Sequence, residues 1–584
     1  MNQAITEAVN ALPEKYQMIY GHPELSEGVS RACSDRGRYI CQIVNDLQLY
    51  TNRKRLKVLD LGCAQGFYSL ALAEMDCEVY GIDSLEKNIE VCKLLKEENN
   101  FENCSFTVNE LSLDYANKMM EEYDVILTLS VMHHIAFKNG FEKAREIFEI
   151  LAAHTKIMIS EMAVKTEPLY WNQTLPSVYD EWYSTIRFFD EVSFFNTHLS
   201  EIQRPLIISS NKLLYLNRKF YQIDSCSKTP FFLCKEDNAK RYYRSGDLFI
   251  KLVRSTNMPY KEELEKEIEF VTNNMDISFI NPVLDSGITL QRAYSIRKYE
   301  EGRLLFDIAQ DRETSEWDPF FTNLLDKLIE LENHGYYHGD LRSWNIICNF
   351  KKKEATIIDY GSMQTDASDI TARIMSETNN FTVYDSFMSI VYDVITGKRY
   401  PYIKEYALYD PGLFYDLSVL ESKYRVFFKL YYLDREKLNF AGIQQIFDKY
   451  VIHREKREFT LSEESYIKDY VVSRSHEAAE GRIDYIAERI KTNNTLRTII
   501  RKQEEMQRSV EQEILQVKIQ QNQLSESISK KWDDYQNQVY KISAENQKAL
   551  QLIDELRAEN RKLKDELSLI QNWAVLRIYK KIRG

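Results

Sequence analysis

The stretch HGDLRSWN at positions 338–345 places Asp340 five residues before Asn345. Phosphoryl transfer from ATP needs a carboxylate beside the accepting hydroxyl and further oxygen ligands for magnesium. A second aspartate, Asp359, follows the apolar run ATII, and the strand-like DLFIKLV upstream carries Lys251, which could neutralise phosphate oxygens. We therefore predict Asp340 as the catalytic carboxylate and Asn345 and Asp359 as metal ligands.

Two carboxylates could pair with Lys251 from the helix-like segment YKEELEKEIEFVTNN that follows it. Glu267 is the first choice, and Glu263 is the alternative, one helical turn earlier. No GxGxxG loop precedes the lysine, so the segment CKEDNAKRYYRSG would have to cover the nucleotide in another way.

A different chemistry is indicated near the start of the chain, where VLDLGCAQGFYSLALA joins an apolar strand to a helix. Asp60, Gly62 and Gly66 stand at this turn, where glycine lets the backbone approach a ligand. Asp83 ends the next strand, where a carboxylate can accept hydrogen bonds from both hydroxyls of a ribose. The dinucleotide fingerprint GxGxxG is absent, which favours an adenosyl ligand without a pyrophosphate.

The elements that must position these residues follow two patterns. From Leu56 to about Ser160 the strand-like runs KVLDLG, CEVYGID, CSFTVNE, DVILTLS and KIMISEM alternate with amphipathic stretches, which predicts a parallel, doubly wound α/β sheet. Residues 165–215 are aromatic-rich and irregular, and we interpret them as an extension. Short strands surround one helix in residues 217–298, and helical patterns dominate beyond, which predicts an α+β domain of two lobes.

A coiled coil is predicted for the C-terminal part, which lacks proline from Arg482 onward. An a/d seam runs from Val539 to Ile570, and its polar positions Asn546 and Asn560 would fix the register without deciding between two and three strands. The final NWAVLRIYKKIRG could lie on an anionic membrane or simply end the coiled coil with a basic turn. The predicted domains are residues 1–215, 216–470 and 471–584.

Composition excludes several classes of function. A net charge of −13 over 584 residues argues against nucleic acid as the main partner. The nine cysteines include no CxxC pair, so neither a zinc site nor a disulfide framework is predicted, and the compartment is expected to be reducing. No signal peptide and no apolar run of membrane-spanning length is evident, so the chain is expected to be neither secreted nor membrane-spanning.

Residues 16–165 resemble the Rossmann-like S-adenosylmethionine-dependent methyltransferases, whose glycine loop is matched by DLGCAQG. The resemblance implies that Asp83 binds the ribose and Glu110 the adenine of the cofactor, and that Tyr16 and Arg36 close over it, with Arg36 on its carboxylate. The full set of expected cofactor contacts is Tyr16, Arg36, Asp60, Gly62, Cys63, Gly66, Asp83, Ser84, Glu110 and Leu111. An ordinary solvated face is the alternative for the arginines at 31, 36 and 38.

His133 and His134 follow the fourth strand in VMHHI and are the candidate catalytic residues for methyl transfer. They could act as a base or orient the acceptor. A packed loop histidine is the alternative for one of them.

Residues 220–450 resemble the eukaryotic-like protein kinases, with HGDLRSWN in place of HRDxxxxN and DYG in place of DFG. The resemblance implies ATP and Mg²⁺ as ligands, with Lys251, Glu267 and Tyr299 beside ATP. It extends to Asp385, in a helix of the larger lobe. Gly339 replaces the usual arginine, as in bacterial kinases of sugars and lipopolysaccharide, so a small molecule or glycan is the expected acceptor.

The order of these parts resembles the bifunctional O-antigen chain-terminating methyltransferase/kinases of bacteria. The resemblance implies phosphorylation of the 3-hydroxyl of the terminal mannose of a lipid-linked polymannose, then methylation of that phosphate. It also implies a homo-oligomer, with a trimer favoured and a dimer possible, peripheral on the cytoplasmic face of the inner membrane, whose C-terminal region recruits the polymerising mannosyltransferase. The alternatives are a non-catalytic ligand-binding scaffold and a protein kinase fused to a protein methyltransferase.

Overall fold

The computed structural model describes residues 2–197, 199–228, 240–311, 316–367, 382–397 and 416–470, together with residues 548 and 559. The chain divides into two compact units, Met1–Arg482 and Ile483–Gly584. Apart from residues 548 and 559, the predicted coiled coil of residues 471–584 lies outside the described residues.

Seven strands form the first sheet: β1 (Lys57–Leu61), β2 (Glu78–Asp83), β3 (Cys104–Val108), β4 (Tyr123–Leu129), β5 (Thr155–Glu161), β6 (Phe188–Phe195) and β7 (Arg204–Ser210). Their order is β3-β2-β1-β4-β5-β7-β6. The first five are parallel, whereas β7 is antiparallel to β5 and β6 to β7. The predicted α/β fold is confirmed, but the sheet is mixed rather than parallel throughout.

Helices cover both faces of this sheet: α1 (Asn2–Asn10), α2 (Ser34–Thr51), α3 (Phe67–Glu74), α4 (Glu86–Glu98), α5 (Leu113–Asn117), α6 (Met132–Asn139) and α7 (Phe141–Ala153). Val58 of β1 packs in one apolar cluster with Ile43 of α2, whereas Leu59 packs in the other cluster with Phe148 of α7. Successive side chains of a strand point to opposite faces, so both faces are buried. This explains why the central strands β1 and β4 are largely apolar along their whole length.

Residues 165–215 are not irregular as predicted, because they contain β6 and β7. A bulge between Glu191 and Ser193 interrupts the alternation of β6. Every position of β7 is buried, including Ser209 and Ser210. Because polar residues occupy buried positions, the sequence of β7 does not show the apolar pattern by which a strand is predicted.

The hairpin of β8 (Leu213–Leu216) and β9 (Lys219–Gln222) contains the predicted domain boundary at 215/216. Beyond it, five antiparallel strands form a second sheet in the order β10-β11-β12-β14-β13. They are β10 (Ser225–Lys228), β11 (Lys240–Ser245), β12 (Leu248–Arg254), β13 (Val283–Ile288) and β14 (Arg292–Lys298). The single predicted helix of this region is α8 (Met258–Asn273).

The remaining described part is mostly helical: α9 (Leu305–Asp311), α10 (Asp318–Asn333), α11 (Val383–Thr396), α12 (Ser422–Asp434) and α13 (Phe440–Phe447). Short strands accompany these helices: β15 (Arg303–Leu304), β16 (Tyr337–His338), β17 (Ile346–Asn349), β18 (Glu354–Ile357) and β19 (Met363–Gln364). Phe270 of α8 shares one apolar core with Leu325 of α10 and Phe387 of α11. The core therefore ties α8 to the helical part.

Candidate functional sites

The turn between β1 and α3 has space for glycine alone at two positions. Gly62 and Gly66 have φ of +72° and +77°, where other residues are strained. A Cβ at Gly62 would lie 2.5 Å from Cγ2 of Val131, and one at Gly66 would lie 2.8 Å from the sulfur of Cys92. The backbone of the turn is therefore fixed closely against its surroundings.

Asp83 holds this turn from the end of β2. Its Oδ2 accepts a hydrogen bond from the N–H of Ala64 at 3.0 Å, and its Oδ1 accepts from the N–H of Leu85 at 2.8 Å and from Nδ2 of Asn88 at 3.1 Å. A carboxylate has further lone pairs for ligand hydroxyls. The contact of Asp83 with a ribose stays a prediction.

Asp60 and Cys63 lie buried in the same turn. Oδ2 of Asp60 accepts a hydrogen bond from the hydroxyl of Ser69 at 2.6 Å. Burial raises the pKa of Asp60 to about 6, although that hydrogen bond acts in the opposite direction. The N–H of Cys63 donates to the carbonyl of Ile82 at 3.0 Å, which ties the turn to β2.

The N-terminal segment is bound to this turn through Gln17, which the sequence did not single out. The N–H of Gln17 donates to Oε1 of Gln65 at 2.8 Å, and its own Oε1 accepts from the N–H of Phe67 at 3.1 Å. The hydroxyl of neighbouring Tyr16 accepts from Nη1 of Arg31 at 3.0 Å. Because the partners of Gln17 lie about fifty positions away, no local spacing could have indicated it.

Arg36 lies in a buried ion-pair cluster, so the alternative of a solvated face is wrong for Arg31 and Arg36. Nε of Arg36 donates to Glu161, Nη2 of Arg31 donates to the same carboxylate, and Nη2 of Arg36 donates to the carbonyl of Asn196 at 2.8 Å. Burial raises the pKa of Glu161, but the two guanidinium groups lower it more, to below its usual value. Binding of a cofactor carboxylate by Arg36 stays a prediction.

His133 and His134 lie together at the start of α6, with ring centroids 4.1 Å apart. Burial, together with the charges of His134 and Arg204, lowers the pKa of His133 well below its usual value. Nδ1 of His133 has no hydrogen-bond partner among the described residues, and its ring packs 4.5 Å from that of Trp171. His134 contacts the hydroxyl of Tyr170 at 3.2 Å. The lowered pKa keeps the imidazole of His133 neutral and makes it a weak base, which fits the predicted role in orienting the acceptor better than the role as a base.

The other predicted cofactor residues, Ser84, Glu110 and Leu111, follow the ends of β2 and β3. The N–H of Asn109 donates to the carbonyl of Asp83 at 2.9 Å, which holds these two strand ends together. Glu110 is exposed and forms an ion pair with Lys138, whereas Leu111 is buried. Their contacts with a cofactor stay predictions.

Lys251 extends from β12 into a second buried network. Its Nζ lies 2.7 Å from Oε2 of Glu267 and 2.7 Å from Oδ1 of Asp359, whereas Oε1 of Glu263 is 3.8 Å away. Glu263 pairs at 2.7 Å with Lys240 instead. Burial lowers the pKa of Lys251, but Asp359 and Glu267 raise it well above its usual value. The structure therefore selects Glu267 as the partner of Lys251.

Strands β17 and β18 bring Asn345 and Asp359 together. The N–H of Ile358 donates to the carbonyl of Asn345 at 2.9 Å, and Nδ2 of Asn345 donates to Oδ2 of Asp340 at 3.0 Å. Burial raises the pKa of Asp359, but Lys251 lowers it to about 2 overall. The amide oxygen of Asn345 and the carboxylate of Asp359 are the donor types that Mg²⁺ prefers. The two side chains are therefore of the types that the predicted metal site requires, and their contacts with a metal stay predictions.

Two glycines allow close packing around this network. A Cβ at Gly361 would lie 2.6 Å from Cγ and 2.7 Å from the carbonyl oxygen of Glu263 on α8. A Cβ at Gly339 would lie 2.9 Å from the carbonyl oxygen of Ser362. Glycine at 339 thus has a packing reason in addition to the expected change of acceptor.

Arg342 belongs to this site although the sequence did not single it out. It is buried, its Nε lies 3.9 Å from Oδ1 of Asp340, and its Nη1 donates to the hydroxyl of Ser386 at 3.1 Å. The neighbouring Asp385 accepts hydrogen bonds from Arg435 and caps α11. A basic residue two positions after Asp340 is the signal that could have indicated Arg342.

Tyr299 directly follows β14, and its ring lies 4.1 Å from the guanidinium of Arg244. Its contact with ATP stays a prediction. Part of the segment CKEDNAKRYYRSG, expected to cover the nucleotide, lies outside the described residues.

Comparison with known proteins agrees with this division into two sites. Residues 52–216 match the profile of a methyltransferase domain. The Escherichia coli protein WbdD, an O-antigen chain terminator bifunctional methyltransferase/kinase, is 32% identical over 381 residues, or 63% of this chain and 54% of WbdD. The chain is homologous to WbdD. It spans about half the length of the WbdD proteins that it matches.

Solved structures of WbdD are similar to most of this chain and not only to its methyltransferase domain. A high-resolution WbdD crystal structure has a TM-score of 0.67 at 28% identity, covering 80% of this chain and 100% of that one. A low-resolution WbdD structure with an ordered C-terminal bundle has a TM-score of 0.67 at 26% identity, covering 86% of this chain and 99% of that one. The ubiquinone biosynthesis O-methyltransferase of Bartonella quintana is 33% identical over 95 residues, 15% of this chain and 34% of that protein.

Among the described residues, no helix combines the length and the apolar character needed to cross a membrane.

Proposed function

We propose that this chain is a bifunctional transferase that ends the growth of an O-antigen glycan. It moves the γ-phosphoryl group of ATP to the 3-hydroxyl of the non-reducing terminal mannose of a lipid-linked polymannose. It then moves the methyl group of S-adenosylmethionine to that phosphate, and the capped end is no longer elongated. The observation that carries the proposal is that one compact unit holds both the Lys251 network and the glycine turn beside Asp83.

Phosphoryl transfer requires positioning and charge neutralisation more than covalent chemistry by the protein. Asp340 takes the proton of the mannose hydroxyl, and Lys251, which is held between two carboxylates, neutralises phosphate oxygens. Asn345 and Asp359 would hold Mg²⁺, which neutralises charge on the phosphates when bound. The hydrogen bond from Asn345 to Asp340 orients the catalytic carboxylate.

Methyl transfer to a phosphate needs little proton transfer because the acceptor is already an anion, so alignment with the sulfonium does most of the work. The turn at Gly62 and the carboxylate of Asp83 position the donor. The buried, neutral His133 orients the acceptor. The new O–C bond forms as the C–S bond breaks, and S-adenosylhomocysteine leaves.

The proposal extends to assembly and location. Residues 471–584 form a coiled coil that makes a trimer, or alternatively a dimer, and bring the capping sites to the cytoplasmic surface of the inner membrane and to the mannosyltransferase. Sedimentation equilibrium of the full chain tests the oligomer, and a monomer at micromolar concentration would contradict it.

The reaction order is tested with labelled ATP, S-adenosylmethionine and a synthetic mannose oligosaccharide, analysed by mass spectrometry. Asp340→Ala is expected to remove both phosphate and methyl from the glycan, because the first reaction makes the acceptor for the second. Asp83→Ala is expected to leave a phosphorylated, unmethylated product. Methyl incorporation without ATP would contradict the order, and label on protein but never on glycan would contradict the function.

A further inference from the structure

A cavity of about 330 Å³ lies where the first sheet and its helices meet the second sheet. Tyr39 of α2, Asp190 of β6 and Tyr215 of β8 line one side, and Gly287 and Tyr294 of the β13–β14 hairpin line the other. This volume is at the lower end of the roughly 300–1,000 Å³ that is typical of small-molecule sites. None of the residues predicted for either reaction lines the cavity, so it is a separate site.

Oδ1 of Asp190 is a buried atom of a lining residue without a hydrogen-bond partner among the described residues, and the buried hydroxyl of Tyr294, close to the side chain of Asn217, lines the same cavity. The two residues are 4% and 1% exposed, and Nε of Arg292 lies 3.9 Å from the carboxylate oxygen. A buried carboxylate oxygen is costly to leave unpaired, so native proteins usually pair such a group or use it. Burial raises the pKa of Asp190 to about 7, against the opposing effects of Thr289 and Arg292. Near neutral pH this carboxyl group can therefore either donate or accept a hydrogen bond.

The backbone keeps the cavity open and places polar groups at its edge. A Cβ at Gly287 would lie 2.9 Å from the hydroxyl of Tyr294, closer than an ordinary contact, so a larger residue there would displace the tyrosine at the edge of the cavity. Asn217 and Arg218, which also line the cavity, form the β8–β9 turn with φ of +45° and +64°. Positive φ at both central residues is what a two-residue hairpin turn requires, so this turn fixes the edge of the cavity.

We infer that this cavity binds a pyranose ring of a neutral glycan, at a distance along the glycan from the end that reacts. Pyranose hydroxyls both donate and accept, which suits the unpaired Oδ1 of Asp190 and the hydroxyl of Tyr294, and the C–H faces of the ring pack on Tyr39 and Tyr215. A free anion fits less well, because the carboxylates of Asp190 and Glu191 both line the cavity.

The inference rests on the proposed glycan acceptor and adds a second point of attachment for it. When one end of a glycan is held in the cavity, binding of the other end becomes intramolecular, which raises affinity without new contacts at the transfer site. Long glycans should therefore bind more tightly than a disaccharide that cannot reach both sites.

Isothermal titration of the full chain with a long mannose oligosaccharide and with a mannose disaccharide tests this inference. Asp190→Ala and Gly287→Ala are expected to weaken binding of the long glycan about tenfold, equal to about 1.4 kcal/mol. Asp190→Asn, which keeps one acceptor and one donor, is expected to restore part of the affinity. The matched control is Leu284→Ala, on the same strand β13, because Leu284 is exposed and does not line the cavity. Disaccharide phosphorylation is expected to be unchanged in all four variants.

Equal dissociation constants for the long glycan in wild type, Gly287→Ala and either folded Asp190 variant would overturn the inference while leaving phosphorylation intact. Failure of the proposed function has a different result, since no mannose oligosaccharide would then be phosphorylated by the wild-type protein. Thermal melting of each variant identifies any that does not fold, and Gly287→Ala provides the test if Asp190→Ala does not fold.

Discussion

Gly361→Ala is expected to separate the two proposed reactions, because it acts on the packing of α8 rather than on any charged group. The added Cβ would lie 2.7 Å from the carbonyl oxygen of Glu263 and 2.6 Å from its Cγ. A backbone carbonyl of a helix cannot rotate away as a side chain can. Either α8 or the segment after Asp359 must therefore move.

The size of this movement follows from the contact distances. Restoring an ordinary contact of 3.4 Å requires a displacement of roughly 0.7 Å. Glu267 lies on the same helix, and Asp359 lies two residues before the substitution, so the displacement changes both 2.7 Å contacts of Lys251. Misplacement of about 1 Å can reduce a rate about 100-fold, so we expect phosphorylation to fall 30- to 100-fold. Overpacking is expected to lower the free energy of unfolding by about 1–3 kcal/mol.

The assay measures single-turnover phosphorylation of a mannose disaccharide and, separately, methylation of a chemically phosphorylated mannoside. Methylation is expected to be unchanged, because the turn at Gly62 packs against Val131 and is held by hydrogen bonds to Ile82 of β2, whereas Gly361 packs against α8. The matched control is Gly37→Ala, within helix α2, where alanine favours the helix. Its added Cβ would lie at an ordinary 3.6 Å from the ring of Phe67, so phosphorylation is expected to stay at the wild-type rate. Full phosphorylation and unchanged stability in Gly361→Ala would refute the reasoning from packing.

The remaining predictions concern the N-terminal segment and the glycine turn. Burial acts to lower the pKa of His22, but its contacts with Glu98 and Glu24 raise the pKa overall. The stability that these contacts contribute is therefore fully present below the unfolded pKa of about 6.5 and is lost as pH rises through the higher folded pKa. Urea unfolding between pH 6 and 9 should therefore show a decline in stability that His22→Gln reduces, and identical profiles would contradict the assignment. Gly62→Ala is expected to weaken binding of S-adenosylmethionine at least about tenfold through strain at φ +72° and contact with Val131. Val131→Ala should restore part of the affinity measured by calorimetry, and complete restoration would show that φ strain contributes nothing.

Much of the fold was predictable because its signals are local. The parallel strands are short and largely apolar, above all β1 and β4, and the glycine turn carries its own spacing in DLGCAQG. Strand β6 was missed because the bulge at Glu191 breaks its alternation, and β7 because serines are buried in it.

Part of the site around Asp340 and Lys251 was also predictable, because its motif is local in the sequence. Asp340 and Asn345 stand five residues apart in one short motif, and the structure shows a hydrogen bond between them, whereas their catalytic and metal-binding roles stay predictions. Arg342 is in the same motif but needed the structure, because its contact with Ser386 joins positions far apart in the chain.

The sequence by itself determined the two sets of chemical groups and the order of the domains that carry them, because both are written in short-range patterns of glycine, charge and apolar residues. Tertiary structure decided which groups meet. Glu263 and Glu267 are equivalent by helical spacing, and Lys251 pairs with Glu267 because β11 places Lys240 against Glu263. The cavity at Asp190 likewise exists because two sheets pack together, and no local pattern could describe a space between them.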